Sequence, residues 1–499
     1  MSFRDLLEWP MWEGKELGLP LPESAHAVSV ALPRWQDVVG YEEKRPEVIS
    51  RLRGGYPRFV IHRFIKELAH FLDPVRPCLP FPSRLVAERC ADFIYRSTGE
   101  NAVIVARQGT VGVSTTEKGA VAMNAFWMHT GQIMSSRMAE ARLSGTRDLP
   151  YAHEIRRSLR RQLAELYDCE EHDVFLKPTG MGAQFDALRI LLQRSPGLPT
   201  VQLGFPYVDT LKIQQKFGHD NFLLHNLSRV GEDLLTLADN QPLAGCFCEI
   251  PGNPQLGSAD LRVVSPTLRQ RKVPLVVDDV VATPYNIDLS RYADMIATSL
   301  TKFLAGTGDV MGGALVFNPR SPMYVELKQI ASTQHEELLW IEDAGILDQQ
   351  VRMFPDRMRR HNANGLLIAE RLRQHPAVER VWYPKWEFNE VYESVKRPGG
   401  GYSALIAFLP KNAVETAPRI FDNMRVCKGP SLGTVFTLAC PFTVLAHFPE
   451  LEWAEACGVP RHLIRISVGL ENAEDLWKRI DSALNSVLPQ SGEAVGVNT

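Results

Sequence analysis

The stretch Ile296–Val316, IATSLTKFLAGTGDVMGGALV, decides how the rest of the chain is read. One lysine, Lys302, ends an apolar run and is flanked by two hydroxyls, Ser299 and Thr301. Glycines follow at Gly306, Gly308, Gly312 and Gly313. Upstream a second apolar run, VPLVV (273–277), ends in the acid pair Asp278 and Asp279. Singly, each has an ordinary explanation. A lysine after a strand is usually a solvated charge, and Asp278 would serve as a turn residue or helix cap. In this order along one α/β stretch they are the parts that hold pyridoxal phosphate. The amine bonds its aldehyde, the hydroxyls take its phosphate, and the acid keeps its pyridine nitrogen protonated, so that the ring withdraws electrons.

A phosphate also needs a cradle, and DVFLKPTGMGAQFDALRILLQ (173–193) predicts one. VFL reads as a short strand, TGMG as a tight turn and AQFDALRILL as a helix with apolar residues at helical spacing. Glycines at a strand-to-helix turn let backbone N–H groups approach a phosphate, and the helix N-terminus adds partial positive charge. Gly180-Met181-Gly182 alone is a weak signal, since ordinary strand-to-helix turns look the same. The chain has neither GxxxxGK[ST] nor GxGxxG after a strand, so nucleotide binding has no support.

At 499 residues, with 45% apolar and 23% charged residues, the chain has the length and composition of an ordinary soluble globular protein. The net charge of −3 points to neither a nucleic acid nor an anionic membrane as partner. No segment has the apolar length of a membrane span, and MSFRDLLEWPMWEGKELG (1–18) lacks the pattern of a secretory signal. A cytoplasmic home is expected. The eight cysteines include no CxxC, and Cys246 and Cys248 alternate along an apolar strand pattern, so free buried thiols are expected. His129, His447 and His462 show no zinc-ligand spacing, and no metal is implied.

The first hundred residues are proline-rich (GLPLPES, RPCLPFPS) and read as irregular, apart from an amphipathic helix in RFVIHRFIKELAHFL (58–72). AVIVA (102–106) and VGVST (111–115) read as strands. From about residue 150, nearly all-apolar strands alternate with helices, which predicts a sheet buried on both faces and mostly parallel. Ligands of such sheets lie beyond the C-terminal ends of the strands, where Asp278, Lys302 and the Gly180 turn all fall. After residue 358 the texture changes to a smaller α/β domain, and the tail SGEAVGVNT (491–499) is expected to fray. The expected division is 1–140 as an N-terminal extension and arm reaching the neighbouring subunit's site, 141–358 as the cofactor-binding large domain and 359–499 as the small domain.

From about Ala25 to Leu488 the chain resembles the cystathionine γ-synthase branch of the Cys/Met-metabolism pyridoxal phosphate enzymes, particularly the long fungal-type forms. The resemblance rests on HAVSVALPRWQDVVGYEE, GYPRFVIH, TGQIMSSRMAE, KPTGMGAQ, GFPYVDTLKI, EIPGNPQL, VVDDVVATP, SLTKFLAGTGDVMGG, GPSLGT and LIRISVGLEN, in that order. It implies the fold type I, aspartate aminotransferase-like architecture: an α/β large domain around a mostly parallel sheet, plus a smaller C-terminal α/β domain. It makes Lys302 the Schiff-base lysine and proton shuttle and Asp278 the pyridinium partner, with Gly180, Met181, Ser299 and Thr301 on the phosphate. Arg137, in SSRMAE, falls where the family brings an arginine from the neighbouring subunit to the phosphate, implying a homodimer or homotetramer with shared sites. Arg465 would grip the substrate carboxylate, a task suited to a guanidinium, with Asn253 and Ser431 lining that end. An asparagine before proline also makes turns, and a serine also caps helices.

Three departures stand out. Ser135 occupies the place, two residues before the phosphate arginine, where many members have a tyrosine. The ring over the cofactor would come from Tyr207 or Phe205 in GFPYVDT, with Tyr207 preferred because its hydroxyl can also move protons. Pro430 stands where a glutamate often precedes the serine. The implied reaction is γ-replacement on an O-activated L-homoserine, the O-acetyl or O-succinyl ester, with L-cysteine or another nucleophile, including carbon nucleophiles of secondary metabolism, as acceptor. The alternatives are a β- or γ-lyase on the same cofactor and a catalytically silent scaffold.

Overall fold

The computed structural model describes residues 4–146 and 152–489. Among these residues the chain forms a seven-stranded sheet from β1 (Val174–Lys177), β2 (Thr200–Leu203), β3 (Asn221–Leu224), β4 (Gly245–Glu249), β5 (Leu275–Asp278), β6 (Met295–Ser299) and β7 (Gly313–Phe317). The spatial order is β1-β7-β6-β5-β4-β2-β3. β7 runs antiparallel to its neighbours β1 and β6, and every other pairing is parallel. The expected mostly parallel sheet is present. Apart from the half-buried edge strand β3, its strands are buried along almost their whole length, which is why they read as unbroken apolar runs. Cys246 and Cys248 are buried on one face of β4, and all eight cysteines are free thiols.

Two helices position the site. α1 (Gly180–Arg194) begins three residues earlier than the sequence suggested, because Thr179 caps it, its hydroxyl accepting the Gly182 N–H at 3.0 Å. TGMG is therefore the first turn of the helix rather than a separate turn. α2 (Val208–Phe217) starts directly after Tyr207.

The first hundred residues are far more regular than their prolines suggested. Cys78–Phe81, Thr110–Ser114 and Val103–Arg107 form an antiparallel three-stranded sheet in which the Pro80-bearing strand lies at an edge, where a missing N–H is tolerated. Helices Arg63–Leu72, Arg84–Thr98 and Glu117–Thr130 pack on it around their own apolar core. At the other end, Val378–Trp382, Leu405–Pro410, Ile464–Ser467, Leu438–Pro441 and Cys427–Lys428 form the sheet of the small domain, with Ile464–Ser467 at its centre. The boundary expected at 358 falls inside one continuous helix, α3 (Ile341–Gln374), which packs on the helix Ala152–Tyr167. The segment 491–499 lies outside the described residues. No helix among the described residues is long and apolar enough to cross a membrane.

Candidate active site

Strand register sets the floor of the site. Asp278 and Glu249 are direct partners in the parallel β5–β4 pair, so two carboxyls stand side by side at the C-terminal edge of the sheet. Asp278 accepts hydrogen bonds from the Val280 N–H and from Gln184 of α1, both at 2.8 Å. These partners are neutral. Burial, together with neighbouring Asp279, pushes the Asp278 carboxyl up to about 7. Glu249, also buried and facing Asp278, is pushed up to about 8 while accepting the N–H groups of Tyr207 and Asn253. Asp279 points away, its carboxylate taking the Tyr167 hydroxyl at 3.0 Å in the core. The acid pair of the sequence thus divides into one site carboxylate and one structural one.

Lys302 follows β6 in a turn and is partly accessible. Its amine donates to Ser431 Oγ at 2.8 Å. Burial pushes the ammonium below its ordinary value, Tyr56 opposes this, and Arg465 and Arg58 add to it. Arg465 lies on the central strand of the small-domain sheet and donates to the Ser431 carbonyl at 2.7 Å and to Asn253 Oδ1 at 3.1 Å. Lys302, Ser431, Arg465 and Asn253 therefore form one connected chain of contacts, assembled from segments some 200 residues apart in sequence. Ser431 adopts φ +102°, a strained conformation for a non-glycine residue that its surroundings hold in place.

The cradle is equally close-fitting. A Cβ on Gly180 would lie 2.6 Å from Ser299 Cβ, so only glycine lets the first turn of α1 meet the end of β6. Gly180, Met181 and Ser299 thus converge at a helix N-terminus, the arrangement that favours an anion. Thr301 is buried, and its hydroxyl is already engaged by Gly312, accepting its N–H at 3.1 Å and donating to its carbonyl at 3.3 Å.

Not every expected residue is where the sequence suggested. Arg137 is buried and committed within its own chain, to the Asp309 carbonyl at 2.7 Å and to Asp343 at 3.1 Å. Ser135 caps the helix Ser136–Leu143 through the Met138 N–H at 3.1 Å. Phe205 packs against His447 and Trp453, in a cluster with Ala454 and Val459. Tyr207, by contrast, takes a hydrogen bond from Arg58 at 2.6 Å.

Arg58 leads to what the sequence reading missed. It is 2% exposed, ion-paired to Asp209 at 2.8 Å, and Asp209 also meets His129 at 2.8 Å. Beside it Tyr56 is buried with its ring centroid 4.6 Å from the Lys302 amine. Both come from the GYPRFVIH segment of the extension. The segment is among those that carry the family resemblance, but the amphipathic helix expected from residue 58 begins only at Arg63, which leaves Tyr56 and Arg58 in the loop before it.

The donor set fits pyridoxal phosphate. A buried carboxylate with neutral partners suits a protonated ring nitrogen, a lysine of depressed basicity suits the aldehyde, and a capped, glycine-opened helix end suits the phosphate. Fold and site together define a pyridoxal-phosphate-dependent enzyme of fold type I. The comparisons then name the family. The profile described as Cys/Met metabolism PLP-dependent enzyme matches residues 150–485, and the chain belongs to that family. It is 32% identical to cystathionine gamma-synthase of Neurospora crassa over 95% of this chain and 99% of that protein. It is also 32% identical to an L-2-amino-4-chloropent-4-enoate dechlorinase/desaturase of Streptantibioticus cattleyicolor, over 91% of this chain and 95% of that protein. Among solved structures, metB from Corynebacterium glutamicum superposes with a TM-score of 0.59 at 27% identity, covering 66% of this chain and 84% of that one.

Proposed function

We propose that this enzyme carries out γ-replacement on an O-activated L-homoserine, the O-acetyl or O-succinyl ester, with L-cysteine or another nucleophile as acceptor. The observation that carries the reading is the Lys302–Ser431–Arg465 chain of contacts, because it sets a weakly basic amine beside a guanidinium suited to an α-carboxylate. Pyridoxal phosphate, when bound, supplies an electron-withdrawing ring that accepts the electron pair left at the α-carbon. Arg465 holds the substrate carboxylate, with Asn253 fixing the guanidinium, so that the α-hydrogen faces Lys302. Burial lowers the basicity of Lys302, which makes its amine easier to deprotonate, so that it takes that proton and later returns it.

Asp278 secures the charge on the ring nitrogen, while Gly180, Met181 and Ser299 hold the phosphate. Thr301 would join them by giving up its longer bond to Gly312. Tyr207 provides the ring face, supported by the packing of Phe205 against His447 and Trp453. Arg137 could reach a phosphate only by exchanging Asp309 and Asp343, so its role at a neighbouring subunit requires an oligomer that rearranges this ion pair. A homodimer or homotetramer belongs to this reading, and light scattering of the purified protein tests it.

The deciding experiment is mass spectrometry of products formed from O-acetyl- and O-succinyl-L-homoserine with a panel of thiol, amine and carbon nucleophiles. A new γ-substituted amino acid is expected. Release of only 2-oxobutyrate and ammonia would mark a lyase instead, and no turnover with any acceptor would remove the γ-replacement reading.

A further inference from the structure

We propose that Tyr56 is a further catalytic residue of this site, delivered by the N-terminal extension of the same chain. Its phenol holds the Lys302 amine. The inference rests on Lys302 bearing the cofactor, but not on which nucleophile is accepted.

Three observations carry it. The Tyr56 ring centroid lies 4.6 Å from Lys302 Nζ, and Tyr56 is 8% exposed, so the two face each other within the protein. The segment is rigidly seated: the Tyr56 carbonyl accepts the N–H groups of Phe59 and Val60 at 2.9 Å, and Trp127 Nε1 donates to the Pro57 carbonyl at 3.1 Å. Arg58, two residues on, is anchored by Asp209, Tyr207 and the Met128 carbonyl. Ser135 meanwhile is used as a helix cap and Arg137 is tied to two acids, so neither of them faces Lys302 in place of Tyr56.

The charged and titratable groups facing the Tyr56–Lys302 pair are Arg58, Arg465 and Tyr207, with Asp209 and His129 behind Arg58. Burial alone would raise the phenol, but the charges of Lys302 and Arg58 outweigh it and leave the hydroxyl below its ordinary value. Tyr56 in turn stabilises the protonated amine against the effect of burial. Removing the phenol should therefore make Lys302 a weaker base.

The test uses full-length protein freed of pyridoxal phosphate, so that no turnover is needed. Reductive methylation of Lys302 is followed against pH by mass spectrometry in wild type and Tyr56→Phe. The midpoint is expected to move to lower pH in the variant, by about one unit. The phenolate difference absorbance of wild type should show one tyrosine ionising below the ordinary value of about 10, absent from Tyr56→Phe. An unshifted Lys302 midpoint in a folded variant overturns the proposal. If Tyr56→Phe does not fold, Lys302→Ala replaces it. Loss of the cation should raise the phenolate midpoint, and an unchanged midpoint overturns the proposal equally. Co-expressed Tyr56→Phe and Lys302→Ala chains test the same-chain origin. Mixed oligomers should recover no activity beyond either parent, and recovery would overturn it. Retention of the vitamin B6 chromophore by Lys302→Ala would instead defeat the underlying reading of the site, which keeps the two failures apart.

Discussion

Asp278 and Glu249 hold their protons to unusually high pH because burial denies them water, with Asp279 adding to the effect at Asp278 and the strand partner Asp278 adding to it at Glu249. Both folded values lie above the ordinary carboxyl range, so each contributes stability at acid pH that is lost as pH rises through about 7 and about 8. The PLP-free protein should accordingly lose melting temperature between about pH 5 and about pH 9, and Asp278→Asn should flatten that decline. Thermal unfolding across that range checks it, and an equally steep decline in the variant would contradict it. Arg465 offers a second test. Its two nitrogens are used separately, one for Asn253 and one for Ser431, so Arg465→Lys keeps the charge but loses the fork. KM for the amino-acid substrate should rise by about tenfold or more with a smaller change in kcat, as steady-state kinetics would show. At this scale much of the site was legible. Lys302 and Asp278 announced themselves as polar residues ending apolar strands. Tyr56 and Arg58 did not, because a residue seated by tertiary contacts alone leaves no periodic trace. Glu249 was equally silent, since its effect depends on a strand partner that only the register reveals.

Among the elements, α1 and β6 meet closely where Gly180 faces Ser299. Gly180→Ala would drive a methyl to 2.6 Å from Ser299 Cβ, and relief must come from moving the helix start or the strand end. A destabilisation of about 1–3 kcal/mol is expected, together with weaker pyridoxal phosphate binding, measurable by thermal unfolding and by cofactor titration. Unchanged cofactor affinity would show that the helix end is not the phosphate seat. The buried strands could be read directly, because a parallel strand covered on both faces has to be apolar throughout. The start of α1 was set three residues late because Thr179 was read as part of a turn rather than as a cap. The helix Arg84–Thr98 lies in a region whose prolines dominate its texture, although it contains none itself, and Glu117–Thr130 lies beyond that region. β3 also escaped notice, as a half-buried edge strand of four residues lacks a strong pattern.

For the whole molecule, the extension and the small domain prove inseparable. The Val28 N–H bonds to the Gly308 carbonyl and the Leu32 N–H to the Lys428 carbonyl, both at 2.9 Å. The buried Lys428 amine returns a bond to the Pro33 carbonyl at 3.0 Å, and Ser29 donates to the Pro430 carbonyl. Residues 28–33 thus brace both loops that carry Lys302 and Ser431. Deleting residues 1–34 should lower cofactor occupancy and melting temperature together; a truncated protein with normal occupancy would refute this bracing. That arrangement has a cost in time. Residues 28–33 dock on partners up to about 400 residues later in the chain, so during synthesis they must wait, apolar side chains uncovered, for those partners to emerge. Trp35, whose N–H reaches Asp422 and whose ring stacks on His462, would report that late closure as a slow fluorescence change on refolding, missing from Trp35→Phe.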